Sequence, residues 1–350
     1  MRVLMLGAFD PAYPRHAILQ AGLEANGVTV ISRRLPKDAG TAARVKLLVG
    51  ALPALNDFDA LLIPAFNQML APLAWALARR APVLLDYMVG LADVNADRET
   101  ATGARAALFQ QIDRFNLRML DSMTDTAAHR DYFAVSLGAD TRRVRVVPVG
   151  VVEHWLSVPP PPLTQPYTVT FIGTYIPFQG VDVILRAAAL LRGDSRLRFR
   201  LIGSGQTYPA MARLAEELRL DNVSFDAGFY TFDDLRTRLQ ESTFILGVFG
   251  AAEKTGYVVP NKVFDGLAMG RPVITADSPA LREWFTPGDH VVAIPPGDPE
   301  ALASALQSLT GDPARIAALG AAGQSRIRAA FLPVHIGAQV KQILQAVQRA

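Results

Sequence analysis

The chain has 350 residues, half of them hydrophobic and 19% charged, with a formal net charge of +3 and no cysteine. That length favours two domains over a single core, and the low charge fraction excludes a disordered chain. The missing cysteines exclude disulfides, thiolate metal sites and cysteine nucleophiles, and fit a reducing compartment. With no Lys/Arg-rich run, zinc-finger spacing or RNP-type aromatic motif, the sequence points to no nucleic-acid partner.

Val3 to Gly7 reads as a first strand rather than a signal peptide, because the apolar run is short and Asp10 and Arg15 follow it. A loop leads into a helix from His16 to Asn26, with Ile18, Leu19, Gly22 and Leu23 on one face, and Val28 to Ile31 is a second strand. The loop between strand and helix is where open α/β sheets bind ligands. It lacks Gly-x-Gly-x-x-Gly, so the usual dinucleotide site is not expected, and Tyr13, Arg15 and His16 are its candidate substrate contacts. Asp57-Phe58-Asp59 has the Asp-x-Asp form that can hold a divalent metal, but it precedes the strand Asp59–Pro64, so turn chemistry and no metal are expected. Leu70 to Arg80 reads as a helix and Pro82 to Tyr87 as a strand. The polar loop beyond it makes Asp86, Asp93 and Arg98 ligand candidates. A helix over Thr102–Met119 and a segment with Asp125, Thr126 and His129 complete this half. No apolar run reaches transmembrane length; a cytoplasmic location is expected, with peripheral membrane contact left open.

Four prolines, Pro159 to Pro162, can join neither a helix nor a central strand and mark a linker. The predicted domains are 1–157 and 164–333 around the linker 158–163, with a C-terminal helix near 336–347 that packs back on the first. The second half repeats the alternation of strand and helix: strands at 167–173, 197–202, 223–225, 244–249, 273–275 and 291–294, helices between them. Lys262 to Met269 carries Val263, Phe264, Leu267 and Ala268 at helical spacing, with Asn261 as the expected cap and Gly270 as the stop. A helix N-terminus bearing a lysine suits a phosphate. The fold class is therefore α/β, two Rossmann-like halves predicted to face each other across a cleft.

The order of motifs resembles the GT-B glycosyltransferases, and within them the retaining family 4, or glycosyl transferases group 1. The matching pieces are Phe171-Ile172-Gly173 with Gly180 to Leu185, Leu201 to Gly205, Asn222 to Phe225, and most specifically Asn261 to Val273. The resemblance implies transfer of a sugar from a nucleoside-diphosphate-sugar to an acceptor hydroxyl, with retention and without metal or other cofactor, in polysaccharide or glycoconjugate biosynthesis. It puts the donor on the C-terminal domain, and on the N-terminal domain an acceptor that is a glycan, a lipid-linked sugar or a small molecule. Lys262 and Lys254 would then stabilise the departing diphosphate. Gly173, Thr174, Gln179, Gly203, Gly205, Phe229, Tyr230, Tyr257, Val258, Val259, Asn261 and Asp265 would line the donor site. The chain departs from the family pattern in three places: Thr174 stands where an arginine is usual, Gln179 where a lysine is, and Tyr257 where the sugar-binding glutamate is. Asp265 replaces the glutamate that holds the ribose. Those departures motivate a second reading, a non-catalytic GT-B relative that binds nucleotide or glycan or supports a partner enzyme; a nucleotide-sugar epimerase ranks below both.

Overall fold

The computed structural model describes residues 1–51, 57–78, 81–98, 102–159, 163–228 and 230–349, and excludes the side chains of residues 96–98, 232 and 349. Contacts divide the chain into two units, Met1–Val152 with Ala330–Ala350, and Glu153–Ala329. Prolines 160–162 lie outside the described residues.

The first unit runs β1 (Arg2–Ala8), α1 (Pro14–Ala25), β2 (Thr29–Leu35), α2 (Thr41–Ala51), β3 (Ala60–Ile63), α3 (Ala71–Leu77), β4 (Val83–Asp86), α4 (Leu91–Arg98), α5 (Gly103–Met119), β5 (Asp121–Thr124), α6 (Ala127–Leu137) and β6 (Val144–Val146). The second holds β7 (Tyr167–Ile172), α7 (Val181–Leu190), β8 (Leu197–Ile202), α8 (Tyr208–Glu217), β9 (Val223–Asp226), α9 (Phe232–Gln240) and β10 (Phe244–Leu246). It continues through α10 (Glu253–Tyr257), α11 (Asn261–Ala268), β11 (Val273–Ala276), α12 (Pro279–Trp284), β12 (Val292–Ile294), α13 (Pro299–Thr310) and α14 (Pro313–Ala330). α15 (Pro333–Arg349) returns to the first unit.

Each unit is built on a six-stranded sheet, ordered β2-β1-β3-β4-β5-β6 and β12-β11-β10-β7-β8-β9, with every neighbouring pair parallel. A parallel sheet covered on both faces needs strands that are apolar throughout. The buried runs Ala60-Leu61-Leu62-Ile63 and Phe244-Ile245-Leu246 meet that need. No described helix is long and apolar enough to cross a membrane.

Two segments differ from the sequence expectation. The polar loop after β4 contains α4, because Asp113 of α5 accepts the first free amides of that helix, from Leu91 at 3.1 Å and Ala92 at 2.8 Å. The segment Gly250–Tyr257, given no element of its own by the sequence, contains α10 and is tied down by a 2.6 Å bond from the Thr255 hydroxyl to the Gly250 carbonyl.

α15 completes the first unit by lying on α1. Ile336, Val340 and Leu344 recur at helical spacing and are fully buried with Ile18, Leu19 and Leu23. Burying each aliphatic side chain contributes about 1.5–3 kcal/mol. The helices touch backbone to backbone: a Cβ on Gly337 would stand 2.0 Å from the Gly22 carbonyl carbon. Gly337→Ala is therefore expected to cost about 1–3 kcal/mol by overpacking. Amide hydrogen exchange checks this; protection should drop in α1 and β1 and hold in β7 to β12. Unchanged protection would mean the crossing has slack.

Candidate functional site

In the second unit the sheet order changes direction between β7 and β10, and the loops after β7, β8 and β10 gather at the carboxyl ends of the strands, where open α/β sheets bind ligands. The first two loops run in contact. A Cβ on Gly205 would fall 1.6 Å from the Thr174 carbonyl oxygen, so only glycine fits there. Thr174 is exposed, whereas Gln179 is buried and its Oε1 accepts the Tyr175 amide at 3.0 Å. Gln179 thus braces the loop Gly173–Gly180.

α11 starts one residue earlier than its sequence suggests. Pro260, with φ −73° and ψ 151°, occupies the cap position, and Asn261 is the first helical residue rather than the cap. Pro260 has no side-chain donor or acceptor, so the cap residue satisfies none of the first amides of α11 through its side chain. Lys262 in this first turn is half-buried, but its Nζ is sealed from solvent with no hydrogen-bond partner among the described residues, 3.9 Å from the centre of the Phe171 ring. Burial pushes this amine down to about 7. Asp265, one helical turn on, is pushed up to about 8 by burial alone. An uncapped helix start with an amine and a carboxyl on neighbouring turns can take an anion at one end and a pair of hydroxyls at the other.

The remaining donor-side candidates surround this turn. Lys254 on α10 sits 5.3 Å from the Phe178 ring. Tyr257 and Val259 are buried, and Val258 is half-buried. Gly203 has φ 110° and stands against the Gly173 carbonyl. Tyr230 hydrogen-bonds Asp226, and the Arg238 guanidinium covers its ring at 3.9 Å. Phe229 lies outside the described residues. Arg271, prominent in the sequence motif, is fully buried and donates to the carbonyls of Pro159, Gln240, Ser242 and Met269; it binds backbone rather than phosphate.

In the first unit the expected substrate contacts separate. Arg15 and Asp86 form a buried ion pair at 3.0 Å, with side chains 2% and 0% exposed, and Arg15 also donates to the Pro148 carbonyl at 2.7 Å. Both were expected to face substrate; shut off from solvent, they fix the start of α1 to the end of β4 instead. His16 is buried, with Nδ1 2.8 Å from the Asp10 carbonyl oxygen, and burial lowers its pKa. Tyr13 is partly exposed beside a cavity of about 430 Å³ lined by Ala8, Phe9, Asp10, His16, Lys37 and Phe66. Asp93 accepts from the Tyr132 hydroxyl at 3.2 Å, and the side chain of Arg98 lies outside the described residues. Asp125 and His129 form a buried pair at 2.6 Å. Asp59 accepts the Arg2 amide at 2.7 Å, and among the described residues no three His, Asp or Glu side chains cluster to hold a metal.

Sequence reading missed Phe171 as the seat of the Lys262 amine, and Phe66. An aromatic in a buried strand carries no signal that a lysine from another element will rest on it, and a positive φ leaves no mark in composition.

Comparison with known proteins matches residues 166–312 to the family described as glycosyl transferases group 1. A D-inositol 3-phosphate glycosyltransferase of Rhodococcus opacus is 31% identical over 195 residues, which cover 53% of this chain and 42% of that protein. A GDP-mannose-dependent monoacylated alpha-(1-6)-phosphatidylinositol monomannoside mannosyltransferase of Corynebacterium glutamicum is 28% identical over 180 residues, 50% of this chain and 46% of that one. The chain thus spans less than half the length of these curated relatives. Among solved structures, Anabaena HepE in complex with UDP and glucose superposes with a TM-score of 0.74 at 16% identity, covering 99% of this chain and 100% of that one. Sucrose-phosphate synthase from Thermosynechococcus elongatus gives 0.73 at 18% identity, covering 99% of each. The fold is shared with these GT-B structures, and residues 166–312 are similar to the glycosyl transferases group 1 family.

Proposed function

We propose that the chain is a retaining glycosyltransferase that moves a sugar from a nucleoside-diphosphate-sugar to an acceptor hydroxyl, without metal, in the cytoplasm. The observation that carries the reading is the uncapped first turn of α11 with the sealed, unpartnered Lys262 amine and Asp265 one turn on. The family match over this region supports a diphosphate donor, and the UDP in the Anabaena complex makes UDP the first probe. The lack of cysteine fits a reducing compartment.

In this mechanism the bond from the anomeric carbon to the diphosphate oxygen breaks heterolytically. The acceptor hydroxyl adds to the same face, and its proton passes to a leaving phosphate oxygen. Lys262 swings off the Phe171 ring to meet the charge that develops on that oxygen, and the free amides of α11 add their dipoles. Asp265 accepts from the ribose hydroxyls. Lys254 is the second cation of the donor side. The first unit takes the acceptor.

A second reading, a nucleotide- or glycan-binding relative without turnover, is favoured by one observation: Gln179 is engaged with the Tyr175 amide where the family carries a phosphate-clamping lysine. Donor hydrolysis and transfer across a panel of nucleotide-sugars separates the two. We expect turnover with at least one donor, unchanged by EDTA; UDP binding with no turnover on any donor would establish the second reading.

Lys262 gives two sharper outcomes. Lys262→Ala is expected to lower turnover by roughly 10²-fold or more. Lys262→Met should also lose nucleotide affinity yet melt higher than the parent. The sign follows from the shift: the folded amine titrates at about 7 and the unfolded one near 10.5, so below pH 7 both states are charged and the full cost of burying the ammonium falls on the native state. The gain in melting temperature should be largest below pH 7 and fade as pH rises towards 10.5, which calorimetry at several pH values reads directly. A lower melting temperature at pH 6 would mean that the lysine supports the fold.

A further inference from the structure

The cavity of the first unit has a constructed floor that the donor chemistry does not use. It lies over the carboxyl ends of β2, β1 and β3, where the strand order changes direction. Rings step outward along it: Phe9 and His16 are buried, with centroids 5.1 Å apart, His16 meets Tyr13 at 5.1 Å, and Tyr13 meets Phe66 edge-on at 5.7 Å. Phe66 is 45% exposed, and its φ of 68° is left-handed, a conformation that a phenylalanine adopts only under strain.

The surroundings over-determine that strain. Asn67 is fully buried; its amide accepts from Ala8 N at 2.8 Å and donates to the carbonyls of Ala8, Pro64 and Ala65. Arg44 of α2 donates to Asn67 Oδ1 at 2.9 Å, to the Phe66 carbonyl and to the carbonyls of Lys37 and Ala39. One guanidinium thus holds both loops of the cavity rim. The ring held this way still leaves nearly half of its surface exposed, so packing only partly offsets the strained backbone.

We propose that Phe66, with Tyr13 beside it, is the platform on which the acceptor's sugar ring stacks, and that Phe66 determines acceptor binding. This rests on the reading that the first unit takes the acceptor. The apolar C–H face of a pyranose matches an exposed aromatic face, Asp10 and Lys37 on the rim offer partners to its hydroxyls, and the cavity volume suits one such ring. Arg44 and Asn67 are positioning residues that hold the platform.

The test uses the full chain, UDP, and the methyl pyranosides of glucose, galactose, mannose and N-acetylglucosamine as probes. Saturation-transfer NMR should show contact through the sugar C–H protons for at least one pyranoside. Phe66→Gly should remove that contact and raise the acceptor KM roughly tenfold or more. It should leave UDP affinity and acceptor-independent donor hydrolysis unchanged, and it should melt no lower than the parent, because glycine adopts this φ without strain. Phe66→Leu should lose the contact as well, since it keeps the bulk and not the ring. The proposal is overturned if no pyranoside binds the parent, if Phe66→Gly binds them equally well, or if it melts lower with its acceptor KM unchanged. Pyranoside contact that depends on Phe66, in a protein with no turnover on any donor, would leave the platform standing and remove the transferase reading.

Discussion

Holding the Lys262 amine against the Phe171 ring, with no hydrogen-bond partner among the described residues, works against folding, and the elements around it are arranged so that it stays there. A buried ammonium loses hydration that one ring face only partly restores. The position persists because Val263, Phe264, Leu267 and Ala268 anchor α11 on the sheet, and the chain around β11 is held by Arg271 through four carbonyls. The fold invests packing in fixing a helix whose first turn is electrostatically unfinished. An incoming anion would complete it.

The first unit solves a different problem at the equivalent end of its sheet. There the charged side chains nearest the strand ends, Arg15 and Asp86, neutralise each other inside the protein. What faces the cavity is mainly aromatic, with charge at the rim. A site for a diphosphate must keep charge available, whereas a site for a neutral ring needs flat apolar surface and a few polar edges. Both units are parallel six-stranded sheets, in different strand orders, and their strand ends carry these two kinds of surface.

The sequence made the sheets legible because parallel strands are apolar throughout, and it made α11 legible because its apolar residues keep helical spacing. What it hid depended on partners distant in the chain. Asp86 reads as a solvent-facing carboxylate until Arg15, 71 residues away, meets it. The segment after β4 reads as a loop until Asp113 supplies its cap. Asn261 is a good cap residue by type, yet Pro260 before it already has the extended conformation that a cap needs, so the helix begins at Asn261. Gln179 marked a departure from the family pattern, but only the structure gives its other occupation, the Tyr175 amide.

The crossing of α15 on α1 sets the order in which the chain can mature. Segments emerging from the ribosome tend to fold in sequence. The first unit, however, lacks part of its core until Ile336, Val340 and Leu344 have been made. Until then Ile18, Leu19 and Leu23 offer a greasy, uncovered stripe to whatever is near. The second unit is complete by Ala329 and has no such wait. The half of the protein synthesised first is therefore the half that finishes last, and during that interval α1 is the surface most open to chaperones or to misassembly.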